Sequence, residues 1–153
     1  MHTDLCGPMK TTSLGGPLYF LLFVDDCTKF SWVYFMSNKS HTFEYFKQFI
    51  YIIEKQTTKH IKIIRFDQGG EYKKEELTKY CKDHGILQQF TVSHTPQQNE
   101  VVERKNRTLV ECARSMLKGK DLSNGFWAEA WNTVVYLKNR SPKKSLEFKT
   151  PFE

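Results

Sequence analysis

The chain has 153 residues, enough for one domain with a real core. A hydrophobic fraction of 39% with 14% aromatics argues against disorder, and the longest apolar run, residues 18–24, is too short to span a bilayer. A net charge of +6 points either to a polyanionic partner or to a basic, solvated surface. Cys6, Cys27, Cys81 and Cys112 are dispersed and form no C-x-x-C pair. Neither a disulfide framework nor a zinc site is indicated, which suits a reducing compartment. No secretory leader is expected, because Asp4 follows Met1 so closely.

In chain order, a first strand is expected over residues 1–5, and Gly15-Gly16-Pro17 makes a turn. Residues 18–25 and 30–36 read as two further strands of an antiparallel meander. Phe30, Trp32, Tyr34 and Met36 share one face of the last. Asp25 and Asp26, at the junction between these two strands, read as structural acids. Ser40 is expected to cap a helix reaching residue 56, with Phe43, Phe46, Ile50 and Ile53 at helical spacing as core. Residues 61–66 form a fourth strand. Its return after a helix favours a parallel crossover that lays it beside the first. Residues 74–84 read as a short helix ended by Gly85, residues 86–91 as a last strand, and residues 92–98 as a polar loop.

Asn99 is then expected to cap a helix, its side-chain oxygen taking a free N–H of the first turn. Glu100 and Glu103 would fall in that turn, where the helix dipole favours negative charge. Val102, Leu109, Ala113, Met116 and Leu117 make an apolar stripe, and Gly119 closes the helix. Glu103, Arg107, Val110 and Arg114 share another face. Residues 122–139 hold a further helix, with Trp127, Ala130, Trp131, Val134 and Leu137 facing inward. From Pro142 a tail follows with Lys143 and Lys144 exposed, so the division is a core over residues 1–142 and a tail over 143–153. No repeat, low-complexity segment or linker is visible.

Three acids stand out on this layout. Asp4 lies near the end of the first strand, Asp67 follows the fourth, and Glu103 sits in the long helix with 35 residues between it and Asp67. Two strand-end aspartates and a helical glutamate can converge to hold two divalent cations for phosphodiester chemistry. Spacing alone does not choose them among 17 acids.

Sequence context does. His2-Thr3-Asp4-Leu5-Cys6-Gly7-Pro8-Met9, Asp67-Gln68-Gly69-Gly70-Glu71-Tyr72, Thr95-Pro96-Gln97-Gln98-Asn99 and Val102-Glu103-Arg104-Lys105-Asn106-Arg107-Thr108-Leu109 resemble the integrase core of copia-type LTR retrotransposons, a family similar to retroviral integrases. Residues 19–26, Phe126-Trp127-Ala128-Glu129-Ala130 and Asn139-Arg140-Ser141-Pro142 extend the likeness over the chain. The resemblance implies an α/β, ribonuclease-H-like mixed sheet, in which a three-strand antiparallel meander and parallel strands are flanked by helices. It implies Asp4, Asp67 and Glu103 as the catalytic and metal-holding acids, with two Mg²⁺ (or Mn²⁺) ions as cofactors. It further implies processing of 3′ ends and their transfer into target DNA, double-stranded DNA of element ends and target as partner, a homo-oligomer, and no membrane. The site of action would be nuclear, with a cytoplasmic particle stage for the parent element.

Gln97, Gln98 and Asn99 are candidates for contacts near the DNA end, and Arg104, Lys105, Arg107 and Arg114 for phosphate contacts. The chain departs from the family in its short first strand, in Gln68 after Asp67, and in Glu100 where glycine is usual. Those departures feed an alternative, a decayed or domesticated fragment that binds DNA or multimerises without catalysis. A ribonuclease-H-like nuclease that cleaves without joining is a further alternative. The family's amino-terminal His/Cys zinc module and carboxy-terminal DNA-binding region are not in this sequence.

Overall fold

The computed structural model describes residues 1–66, 75–90 and 96–153, with side chains in the last segment from Arg104 onward. Five strands form one mixed sheet: β1 (His2–Cys6), β2 (Tyr19–Val24), β3 (Ser31–Met36), β4 (Ile63–Phe66) and β5 (Leu87–Phe90), in the order β3-β2-β1-β4-β5. β1 pairs antiparallel with β2, and β2 with β3, which is the expected meander. β4 returns parallel to β1 with Thr3 opposite Phe66, and β5 adds parallel to β4.

The helices are α1 (Thr42–Thr57), α2 (Glu75–Asp83), α3 (Pro96–Gly119) and α4 (Trp127–Asn139). Alternation along β2 divides the core in two, because successive side chains point to opposite faces of a sheet. Leu21 and Phe23 join Phe46, Phe49, Ile50 and Ile53 of α1, with Ile64, Phe66, Leu77 and Cys81. Phe23 stacks on Phe49 with centroids 3.8 Å apart and planes 7° from parallel. Phe20, Leu22 and Val24 face the other way, against Leu109, Ala113 and Leu117 of α3 and Trp127, Trp131, Val134 and Val135 of α4.

Four expectations about helix ends and faces need correction. Asn38, not Ser40, is the cap before α1: its side chain accepts the Ser40 N–H at 2.9 Å, and a single 3₁₀ turn, Lys39–His41, intervenes. That bond satisfies an N–H of the 3₁₀ turn, and α1 itself, which continues from His41, has no side-chain cap. Asn99 is not a cap either, for α3 already begins at Pro96 and has no acid in its first turn. Proline suits that first position because its φ is preset and its missing N–H would have had no helical partner.

Leu137 is 49% exposed, while Ala128 and Val135 are buried. It lies about a third of a turn off the apolar stripe of α4. Lys143 is only half exposed, since the tail folds back, with the Phe152 N–H on the Asn139 carbonyl and Pro151 buried. Gly85 ends α2 as expected, at φ +67°, a left-handed conformation that glycine adopts without strain.

Candidate active site

Asp4 stands in the central strand, opposite Leu22 of β2. Leu22 belongs to the α3–α4 side of the sheet, so Asp4 looks toward α3. There the Asn106 side-chain amide donates to Asp4 Oδ2. The Cys6 thiol lies 3.6 Å from the same oxygen, and Asn106 Nδ2 is 3.5 Å from Cys6 Sγ. Asn106 is 8% exposed, and its Oδ1 is buried with no partner among the described residues. A buried amide is costly unless paired, so the bond to a carboxylate, stronger than one between neutral groups, is what holds Asn106 in place.

Asn106 was not among the expected site residues, although a signal was present. It interrupts the apolar line Val102–Leu109–Ala113–Leu117 with a polar residue that favours neither helix interiors nor burial. Asp67 and the side chains of Glu103, Gln97, Gln98, Asn99 and Glu100 lie outside the described residues, as do Glu71 and His94. Among the described residues no three His, Cys, Asp or Glu side chains gather as a metal site.

The basic residues of α3 divide by orientation. Arg104, Arg107 and Arg114 are exposed. Lys105 turns inward instead: its Nζ donates to the Lys29 carbonyl at 2.6 Å, and Lys143 Nζ lies 3.5 Å from that oxygen. Burial, together with the charges of Lys143 and Lys29, pushes the Lys105 ammonium down to about 7.

Asp25 and Asp26 have structural roles. Asp25 Oδ2 accepts the Thr28 N–H and hydroxyl, both at 2.8 Å, in the turn between β2 and β3. Asp26 takes His2 Nε2 at 2.5 Å and Arg65 Nη1 at 2.8 Å, and Arg65 reaches on to Gln89 at 3.0 Å. The His2 imidazole is lowered, burial and the Arg65 charge outweighing the pull of Asp26. This network ties β1, β4, β5 and the β2–β3 turn together. His84 stacks on Tyr80 at 3.9 Å.

The family model described as "Integrase core domain" matches residues 1–96. The chain is 45% identical over 151 residues to the retrovirus-related Pol polyprotein from transposon TNT 1-94 of Nicotiana tabacum, covering 99% of the chain and 11% of the polyprotein. It is 33% identical over 135 residues to the one from transposon RE1 of Arabidopsis thaliana, covering 88% of the chain and 9% of that polyprotein. The chain thus spans about a tenth of these curated relatives.

Among solved structures, the HTLV-2 integrase catalytic core domain in complex with magnesium, in a trimeric form, superposes with a TM-score of 0.70 at 18% identity, covering 99% of this chain and 91% of that one. The simian T-cell lymphotropic virus intasome in complex with PP2A regulatory subunit B56 gamma gives 0.74 at 14% identity, with 99% and 51% covered. The fold is therefore that of retroviral integrase cores, the ribonuclease-H-like sheet.

Proposed function

Since this chain belongs to the integrase core domain family, in the branch found in transposon Pol polyproteins, we propose that it is the catalytic core that trims the 3′ ends of element DNA and joins them to a target duplex. Asp4, Asp67 and Glu103 are its catalytic acids. The observation that carries this reading is the Asn106–Asp4 hydrogen bond, which anchors α3 over the central strand at the first acid. Glu103 is three residues from Asn106 in the sequence of the same helix. The parallel register is in keeping with Asp67 as well: Thr3 pairs with Phe66, and these two residues immediately precede Asp4 and Asp67 in the sequence.

The donor set fits a hard divalent cation such as Mg²⁺, for carboxylate oxygens are its preferred protein ligands, and the orphaned Asn106 Oδ1 leaves a further oxygen acceptor beside Asp4. Two such ions on Asp4, Asp67 and Glu103 would activate the attacking hydroxyl and stabilise the leaving oxygen. The chain's own part is positioning. Asn106 holds the Asp4 carboxylate toward α3, and the exposed Arg104, Arg107 and Arg114 offer phosphate contacts along the helix. Gln97, Gln98 and Asn99 remain the candidates for contacts near the DNA end. The hydroxyl attacks phosphorus in line as the bridging oxygen departs, so no covalent enzyme intermediate forms. We place the reaction on nuclear DNA, carried out by a homo-oligomer.

The test is to incubate purified protein with a labelled duplex end, a plasmid and Mg²⁺ or Mn²⁺. Joined product is expected from the wild type and not from Glu103→Gln, with DNA binding retained in both. A wild type that binds DNA yet joins nothing with either ion establishes the decayed-fragment alternative. Equal joining by Glu103→Gln transfers the role to another acid, Glu100 first.

A further inference from the structure

A second basic feature lies beside the candidate active site. Arg104, Lys105, Thr108 and Leu109 of α3, Lys138 of α4 and Lys143 line a cavity of about 320 Å³. Lys105 and Lys143 converge there on one backbone oxygen, that of Lys29, and their side chains are within hydrogen-bonding reach of each other. Among the described lining residues none is acidic. A single neutral carbonyl does not balance the positive charge that Lys143 and Lys105 bring together, and Lys138 adds a further cation next to Lys143. Lysines that converge with no counter-charge among the described residues offer an anion a place to bridge them, and a phosphate, with several oxygens on one centre, meets more than one amine group at once. The cavity is larger than one phosphate group, leaving room for what the phosphate is attached to.

We propose that this cavity is a phosphate-binding site in which Lys105 and Lys143 hold one phosphoryl group, with Lys138 and Arg104 at its rim. The phosphate belongs either to a DNA backbone or to a small phosphorylated compound. Only the first source rests on the DNA-joining function. An exposed basic stripe would give diffuse attraction, whereas this site ties the effect to Lys143 and not to its sequence neighbour Lys144, which is exposed and does not line the cavity.

The experiment uses the whole chain without divalent metal, so that failure of joining and failure of this site are read separately. Thermal melting is followed in pyrophosphate and in sodium chloride at matched ionic strength, for the wild type, Lys143→Met, Lys105→Met and Lys144→Met. Pyrophosphate should raise Tm by several degrees in the wild type and Lys144→Met, and by less than half as much in the other two. Lys143→Met carries the test if Lys105→Met folds poorly.

In parallel, anisotropy of a labelled duplex gives the salt dependence of binding. A log–log slope reduced by about 0.9 in Lys143→Met and unchanged in Lys144→Met identifies a backbone phosphate as the occupant. An unchanged slope with the pyrophosphate effect intact identifies a small phosphorylated compound. Equal pyrophosphate shifts in all four proteins overturn the site. So does a wild type with no shift whose salt slope is matched by Lys143→Met.

Discussion

Asn106 donates its amide to Asp4 from the interior of α3. If that bond orients the acid, Asn106→Leu, similar in size and without a donor, should leave the fold intact. Metal-dependent joining should fall about 10- to 100-fold, as is usual for groups that orient a metal ligand. The half-saturating Mg²⁺ concentration should rise with it, which a merely structural residue would not cause. Unaltered rate and metal dependence would remove Asn106 from the site.

Asp26 offers a pH test. Burial by itself pushes its carboxyl up, but His2, the terminal amine and Arg65 outweigh that and hold it below its ordinary 3.8. A carboxyl lowered on folding contributes stability that is full above the unfolded value and lost as pH falls through the folded one. Asp26→Asn should therefore melt below the wild type at neutral pH, with the gap closing as the pH drops below about 4. A gap constant down to pH 2 would assign the effect to packing.

Thiols give a third check. Cys81 is buried and its thiol is pushed up to about 11, while Cys27 is exposed. At pH 8 an aromatic disulfide reagent should label Cys27 rapidly and Cys81 only on unfolding, because the thiolate is the nucleophile. Of the candidate site, the strand position of Asp4 was legible because a recognisable sequence block surrounds it, while its catalytic role belongs to the proposal. Asn106 was visible only as a flaw in an apolar stripe, and its purpose depends on a partner 102 residues away.

At the scale of elements, the meander and the parallel return of β4 were legible because strand period and crossover length leave few alternatives. Helix ends were less so. Asn38 and Ser40 lie two residues apart as competing caps, and Pro96 starts α3 ahead of Asn99. The inward turn of Lys143 depends on the Lys29 carbonyl, which nothing local to the tail reveals.

Asn139 shows how one residue joins two elements. At the end of α4 it is 3% exposed, accepts the Ser31 N–H at 2.9 Å and donates to the Ser31 carbonyl at 2.8 Å. The side chain thus pairs the first residue of edge strand β3 as a neighbouring strand would. Asn139→Ala leaves both backbone groups unpaired in the interior and should cost about 1–3 kcal/mol in urea unfolding. Exchange of the Ser31 amide should accelerate more than that of amides in β1. Unchanged exchange at Ser31 would mean that water replaces the amide without loss.

For the whole molecule, charge is the property that would decide how the proposed DNA partner is met. The chain carries +6, and between Glu103 and Lys118 five cations face two acids. Because Lys105 turns inward, the outward face of α3 is represented by Arg107 and Arg114, both exposed. If this face lies along a duplex, each neutralised phosphate releases condensed counterions, and binding weakens steeply with salt. Arg107→Ala with Arg114→Ala should flatten the log–log salt slope by about 0.9 for each phosphate that the variant no longer neutralises. The weakening should be alike for unrelated DNA sequences, since phosphate contacts position a protein without reading bases. Removing two exposed cations should change melting little, as surface substitutions of this kind alter stability by about 0.5 kcal/mol or less. The slope reports neutralised phosphates even where an isolated core binds weakly, which makes it a better observable than affinity. An unchanged slope in the folded double variant would return this face of α3 to a solubilising role.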